Sequence, residues 1–197
     1  ETDLGPVWQQ MGGDLAILES FVDFQREISV VIARGFDGAM AMYVPVENQH
    51  RNHILDTTIA PARITPDVAV KAEAIARHIA QEIKLIGLLA VEMFVTRAGD
   101  VLVNELAPRP HNSGHWTIDA CTTSQFEQFV RAVCGLPLGS PERHSDAVMK
   151  NLIGDDVRDW RAFLGEPGAK LHLYGKTEIR PGRKMGHVTR LSTKTSG

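Results

Sequence analysis

The sequence predicts an α+β fold with a mostly antiparallel sheet, and three observations carry that prediction. Two β-rich runs, residues 26–33 and 39–46, flank "RGFDG", whose Asp37-Gly38 pair is a hairpin signal. Residues 66–85 set Val70, Ala74, Ile75, His78, Ile79, Glu82 and Ile83 at helical spacing behind Thr65, an N-cap residue followed by proline. A second hairpin joins "GLLAVEMFV" to "VLVNELA" through "TRAGD" with alternating apolar positions, so Glu92 and Glu105 fall on neighbouring strands. The remaining elements follow in order. "TSQFEQFVRAVCG" reads as a short helix capped by Thr123 or Ser124 and stopped by Gly135. A strand at 147–153, a short helix near 156–163, the strand "KLHLYG" and a basic turn "RPGRKMGH" then lead to a last strand. Internal repeats and low-complexity segments are absent.

Composition narrows the function. The chain is 43% hydrophobic and 23% charged, enough to build a sizeable core. A net charge of −3 argues against wholesale binding of nucleic acid or a membrane surface, so any phosphate site must be local. Small molecules are the expected partners. Cys121 and Cys134 are too few and wrongly spaced for a disulfide framework or a zinc site, which suits a reducing cytoplasm. No apolar run is long enough to span a membrane, and no signal segment opens the chain. The first residue is Glu1 rather than methionine, so a fragment of a longer protein is expected.

The chemistry concentrates after the second hairpin. Glu92 and Glu105 are carboxylates in otherwise apolar strands, where an unpaired ionised group is costly to bury. Two acids converging from adjacent strands is the arrangement Mg²⁺ uses when it also holds nucleotide phosphates. The same pattern also fits two acids facing solvent on an exposed sheet face. Asn104 can add an oxygen, and Arg109 could clamp a planar anion with two parallel N–H bonds. His111 and Asn112 lie in a loop that Pro108 and Pro110 keep extended, which favours a preorganised polar site. Lys176, Arg180, Arg183 and Lys184 surround a Pro-Gly turn and could receive one phosphate group, although a solvated basic turn has the same pattern. Residues 11–14, "MGGD", are too short for a phosphate cradle, and no G-x-x-x-x-G-K-[ST] or G-x-G-x-x-G occurs.

Together, "NELAPRPHNSGHWT" and "TSQFEQFVRAVCGLPLG", with "ARGFDG" before and "RPGRKMGH" after, resemble the ATP-grasp family of 5-(carboxyamino)imidazole ribonucleotide synthetases of purine biosynthesis. The resemblance covers nearly the whole chain and includes the thirteen-residue spacing from Glu92 to Glu105. It implies an ATP-grasp fold followed by a small β-rich C-terminal domain. The expected divisions are 1–22, the end of one ATP-grasp subdomain and a hinge, 23–140, the catalytic subdomain, and 141–197, the C-terminal domain.

The implied reaction is a ligation. ATP and bicarbonate give carboxyphosphate, whose carboxyl group passes to the exocyclic amine of 5-aminoimidazole ribonucleotide. By the same resemblance Glu92 and Glu105 are Mg²⁺ ligands, and Glu105 and Asn104 adjoin the nucleotide. Arg109, His111 and Asn112 surround bicarbonate or carboxyphosphate. Glu19, Ser20, Phe21 and Val22 cradle adenine, Glu27 accepts a ribose hydroxyl, and His50 is a further nucleotide contact. Lys176 and Arg183 grip the ribonucleotide phosphate. A homodimer is implied as well. The family's N-terminal domain, phosphate-binding lysines and glycine-rich loop are expected before Glu1, and a terminal helix after "STKTSG". Another ATP-grasp ligase, or a nucleotide-binding module without turnover, remains the alternative.

Overall fold

The structure, a computed structural model, describes residues 4–12 and 15–195. Part of the 11–14 stretch and both chain ends lie outside the described residues.

Among the described residues nine strands form one sheet, in which every pairing is antiparallel. They are β1 (Phe24–Arg34), β2 (Met40–Met42), β3 (Val46–Arg51), β4 (Ile54–Ala60), β5 (Gly87–Thr96), β6 (Val101–Ala107), β7 (Ser145–Ile153), β8 (Ala169–Leu173) and β9 (Lys184–Thr193). The order is β6-β5-β1-β3-β4-β7-β9-β8, with β2 paired to β1. The helices are α1 (Gly5–Met11), α2 (Pro66–Glu82), α3 (Thr117–Ala120), α4 (Gln125–Val133) and α5 (Trp160–Gly165).

Period-two alternation in β1 and β5 explains the two cores. Ile28, Val30 and Ile32, with Leu89, Val91, Met93 and Val95, pack against α2. Val31, Ala33, Leu88 and Ala90 face the opposite way, against Tyr43, Trp116 and Ala120. Glu27, Ser29 and Glu92 share the parity of this second set, so the sheet face that is apolar beneath Trp116 becomes polar towards one end. The candidate site lies at that end.

Several sequence expectations change. The strand expected over 39–46 is interrupted: Met40–Met42 pair with β1 and the chain rejoins β1 at Val46, the first residue of β3, with Pro45, which has no N–H for a ladder, in the break. The chain then forms a hairpin, β3 to β4, that the sequence pattern did not suggest. Its turn places both Asn52 and His53 at positive φ, 52° and 62°, the conformation of a type I′ turn. Helix α2 forms where expected but buries Val68, Ala72, Ala76 and Ala80, while Val70, Ala74 and His78 are exposed. Small alanines let the helix axis approach a sheet face already filled by isoleucine, leucine and valine. The helix expected near 156–163 splits into a 3₁₀ segment, Gly154–Asp159, and α5. The loop after β6 stays extended only as far as His111, then turns into a 3₁₀ segment at Asn112–Gly114 and into α3. The C-terminal strands continue the main sheet, joined through β4 and β7.

Candidate active site

The hairpin of β5 and β6 sets Glu92 directly opposite Glu105 in the ladder. This is the closest side-chain relation two strands offer. Glu92 is half-buried and Glu105 exposed, and His111 reaches over the pair from the following loop, its Nε2 2.9 Å from Glu92 Oε1. One ligand atom from each of the three lies within 4.8 Å of the other two. Burial alone would raise the Glu92 pKa. The His111 hydrogen bond, with the charges of His111, His50 and Lys184, outweighs burial and holds the carboxyl below the usual range.

Two clefts meet at this pair. The larger, about 820 Å³, is lined by residues of β1, β3, β5 and β6, including Glu27, His50, Asn104 and both acids. The second, about 510 Å³, shares His50, His53, Glu92 and Glu105 and adds His111, Lys176 and Lys184. In the larger cleft His50 Nδ1 pairs with Glu27 across β1 and β3. Glu47, also in its wall, is almost fully buried between Arg26 (2.9 Å) and Arg63. Burial would raise its pKa, but hydrogen bonds from Arg63 and Gln49 and the two guanidinium charges keep it low. The sequence reading did not single out Glu47, which is one of many acids in polar stretches.

The loop carrying His111 is built in place by buried amides. Gln125, with no exposed surface, accepts the His111 N–H at 2.9 Å and donates to the His111 carbonyl at 2.7 Å. Gly114 is required here, because a Cβ would lie 2.5 Å from Gln125 Oε1. Asn112 and Asn151 exchange two amide hydrogen bonds, 2.9 and 2.5 Å, tying the loop to β7.

The structure therefore brings together Glu27, His50, Glu92, Asn104, Glu105, His111 and Lys176 around the two clefts. Asn112 is occupied by Asn151, and Arg109 is exposed with Nη1 3.1 Å from the Pro110 carbonyl; neither lines a cleft. Arg183 donates to the Glu178 carbonyl at 3.1 Å, and it is Lys184 that stands in the second cleft beside Lys176. Burial and the charges of Arg109 and Lys176 hold the Lys184 ammonium below the usual lysine value, against the pull of Glu92. Its signal in sequence was its position as the first residue of the final strand, directly after the basic turn. Glu19, Ser20, Phe21 and Val22 lie on the irregular segment before β1 and line neither cleft, Phe21 being 91% exposed.

This sheet sets two acids opposite each other at a nucleotide-sized cleft, a setting that suits a nucleotide-binding fold, and the relatives are ATP-grasp proteins. Residues 1–126 match the ATP-grasp domain, and the chain belongs to the ATP-grasp family. Residues 147–196 match the phosphoribosylaminoimidazole carboxylase C-terminal domain. N5-carboxyaminoimidazole ribonucleotide synthase of Brucella melitensis is 52% identical over 180 residues, 91% of this chain and 50% of the relative. The structure of an ADP complex of an N5-carboxyaminoimidazole ribonucleotide synthetase superposes with a TM-score of 0.85 at 48% identity, over 87% of this chain and 46% of that one. An Aspergillus clavatus N5-carboxyaminoimidazole synthase in complex with ADP and 5-aminoimidazole ribonucleotide gives 0.84 at 33% identity, over 88% and 48%. The chain thus spans about half the length of these relatives. Among the described residues no helix is long and apolar enough to cross a membrane.

Proposed function

We propose that this chain carries the catalytic half of an ATP-dependent carboxylase that transfers bicarbonate carbon to 5-aminoimidazole ribonucleotide. ATP and bicarbonate give ADP and carboxyphosphate. Attack by the exocyclic amine on the carboxyphosphate carbon then releases phosphate and a proton and leaves the N-carboxy product. The observation that supports this most is the position of Glu92 and Glu105 where the two clefts join. Phosphoryl donor and acceptor would enter from opposite sides and meet there.

The donor set suits Mg²⁺, since two opposed carboxylates offer a hard cation oxygen ligands. When bound by Glu92 and Glu105, the metal would offset the charge on the β- and γ-phosphates. The remaining chemistry belongs to the chain's own groups. The larger cleft has the volume for a nucleotide, with the Glu27–His50 pair able to receive ribose hydroxyls. His111 and the Arg109 guanidinium at the loop can orient a small trigonal anion and shield a labile acyl phosphate from water. Asn112 supports this loop from behind through Asn151. Lys176 and Lys184, with Arg183 on the same turn, would hold the ribonucleotide phosphate. Glu19 to Val22, on the irregular segment before β1, would contact adenine. The same reading carries three regions, 1–22, 23–140 and 141–197, a homodimer and a cytoplasmic location.

ADP release by the full-length protein in Mg²⁺, ATP and bicarbonate, with and without 5-aminoimidazole ribonucleotide, tests the proposal. Ribonucleotide-dependent release that collapses in Arg109→Ala, and in a folded Glu105→Ala, is expected. Release that ignores the ribonucleotide would assign another ATP-grasp acceptor, and binding without release a module without turnover.

A further inference from the structure

A set of side chains that the proposed chemistry leaves unused leads from α3 to the second cleft. Asp119 Oδ2 lies 2.8 Å from His172 Nε2, and the His172 ring stacks on that of His187, its cross-strand partner, with centroids 4.5 Å apart and planes 17° from parallel. Tyr174 Oη lies 2.9 Å from His187 Nδ1. His187 is buried, so the tyrosine hydroxyl is tied to a part of the structure where water does not compete for it. The Lys176 ammonium sits over the Tyr174 ring, 5.5 Å from its centroid, within the range of a cation–π contact.

The local backbone is shaped for that contact. The Tyr174 N–H donates to the Met185 carbonyl at 3.0 Å, which extends the β8–β9 ladder by one residue. Gly175 then takes a φ of +65°, which a residue with a Cβ adopts only at a cost, and the chain turns so that Lys176 lies over the ring. Lys176 Nζ also donates to the Lys184 carbonyl at 2.6 Å, and both lysines line the second cleft. Two ammonium groups facing one cleft repel, and Lys176 is one cause of the lowered Lys184 pKa. The electron-rich face of the tyrosine ring offsets that repulsion from beneath Lys176. Burial pushes His187 down to about 3, so the imidazole holding the tyrosine is neutral near pH 7 and adds no positive charge of its own.

We propose that Tyr174 is a positioning residue: its ring face seats the Lys176 ammonium at the second cleft, and its hydroxyl, tied to His187, keeps the ring in place. His172, stacked on His187 and bonded to Asp119, braces the imidazole from the other side. The seat is a property of the chain alone. Its consequence, tighter capture of a ribonucleotide phosphate by Lys176 and Lys184, rests on the proposed function. A free lysine side chain loses rotamer freedom when it closes on an anion, and one already seated loses less. The seat therefore acts on ribonucleotide affinity rather than on phosphoryl transfer.

The test is steady-state ADP release by the full-length protein at varied 5-aminoimidazole ribonucleotide. Tyr174→Leu removes the ring and should raise the ribonucleotide KM by about 2–5-fold, the worth of an exposed cation–π contact, with the ATP KM little changed. Tyr174→Phe keeps the ring face but frees it from His187, and should fall between leucine and wild type. In a Lys176→Ala background Tyr174→Leu should raise the KM no further, because Tyr174 acts through Lys176. A role in folding alone would lower the active fraction and leave both KM values in place. An unchanged ribonucleotide KM in a folded Tyr174→Leu, or the same rise with and without Lys176, would overturn the proposal. A second measurement needs no substrate. With the lysines of the full-length protein ¹³C-methylated, the Lys176 signal, assigned by difference from Lys176→Arg, is expected upfield in the ring current of Tyr174 and back among the other lysines in Tyr174→Leu. Should Tyr174→Leu fail to fold, the wild-type signal decides: Lys176 at the ordinary lysine position overturns the seat. An upfield Lys176 in a protein whose ADP release ignores the ribonucleotide would keep the seat and remove the carboxylase reading, so the two failures are distinguishable.

Discussion

Replacing Gln125 with leucine removes the side-chain amide that holds the peptide of His111. Leucine nearly matches glutamine in size, so packing beside Gly114 changes little and the hydrogen bonds carry the effect. The His111 N–H loses its acceptor at 2.9 Å, the His111 carbonyl loses the donor at 2.7 Å but keeps the Gly114 N–H at 3.0 Å, and His115 Nδ1 loses a contact at 2.8 Å. His111 is buried, so neither backbone group can turn to bulk water in place. A buried N–H left unmatched costs about 1–3 kcal/mol and one lost hydrogen bond to a carbonyl that keeps another about 0.5–1.5 kcal/mol, which puts the two losses together at about 1.5–4.5 kcal/mol. That is a large share of the 5–15 kcal/mol typical of a folded domain. Urea unfolding of Gln125→Leu should give a midpoint shift worth at least about 1.5 kcal/mol with the slope unchanged. In the folded fraction, ADP release should fall because His111 is no longer held over Glu92. Gln125→Glu, which retains the acceptor for His111 N–H and loses the donor to its carbonyl, should lie between wild type and leucine. A loss below about 1 kcal/mol for leucine would refute the reasoning, because the loop would then find its own partners without Gln125.

Two further outcomes are expected. Lys184→Ala should raise the ribonucleotide KM by about 10–100-fold in steady-state ADP release, with kcat for ATP cleavage less affected, since a charge-assisted hydrogen bond contributes about 1.5–3 kcal/mol; an unchanged KM would remove Lys184 from the phosphate site. Acid should destabilise the fold early. Burial, with neighbouring positive charge, pushes His115 down to about 4 and His187 down to about 3. The unfolded chain protonates these residues near pH 6.5 while the folded chain does not, so the stability is complete above pH 6.5 and is lost as pH falls towards 4 and 3. By pH 5 each should cost about 2 kcal/mol, visible as a falling urea midpoint that flattens in His115→Gln. A midpoint constant between pH 7 and 5 would contradict this.

The site was legible in sequence to the extent that its signals were local. Glu92 and Glu105 stood out because a carboxylate in an alternating apolar strand is an anomaly within ten residues, and a short hairpin fixes the register that sets them opposite each other. The loop 108–115 was legible from its prolines and its density of polar groups. Helix α2 was recognised by its period, but its buried face was misjudged, since alanine gives a weak apolar signal and is selected by the distance to the sheet. The β3–β4 hairpin was missed because its turn, Asn52-His53, lacks the usual glycine.

By itself the sequence determined the antiparallel α+β class, the acid pair, the proline-stiffened loop and the basic turn, each through periods and turn chemistry acting over a few residues. Only the tertiary structure decided which polar side chains reach that pair. Ser29 meets Ser113 across 84 positions, Asn112 meets Asn151 across 39, and Lys184 rather than Arg183 enters the cleft. The physical reason is that a buried hydrogen bond depends on strand order and face, and these are settled by how the whole sheet closes over its two cores. A serine or an asparagine in a strand carries no local mark of which distant partner will satisfy it.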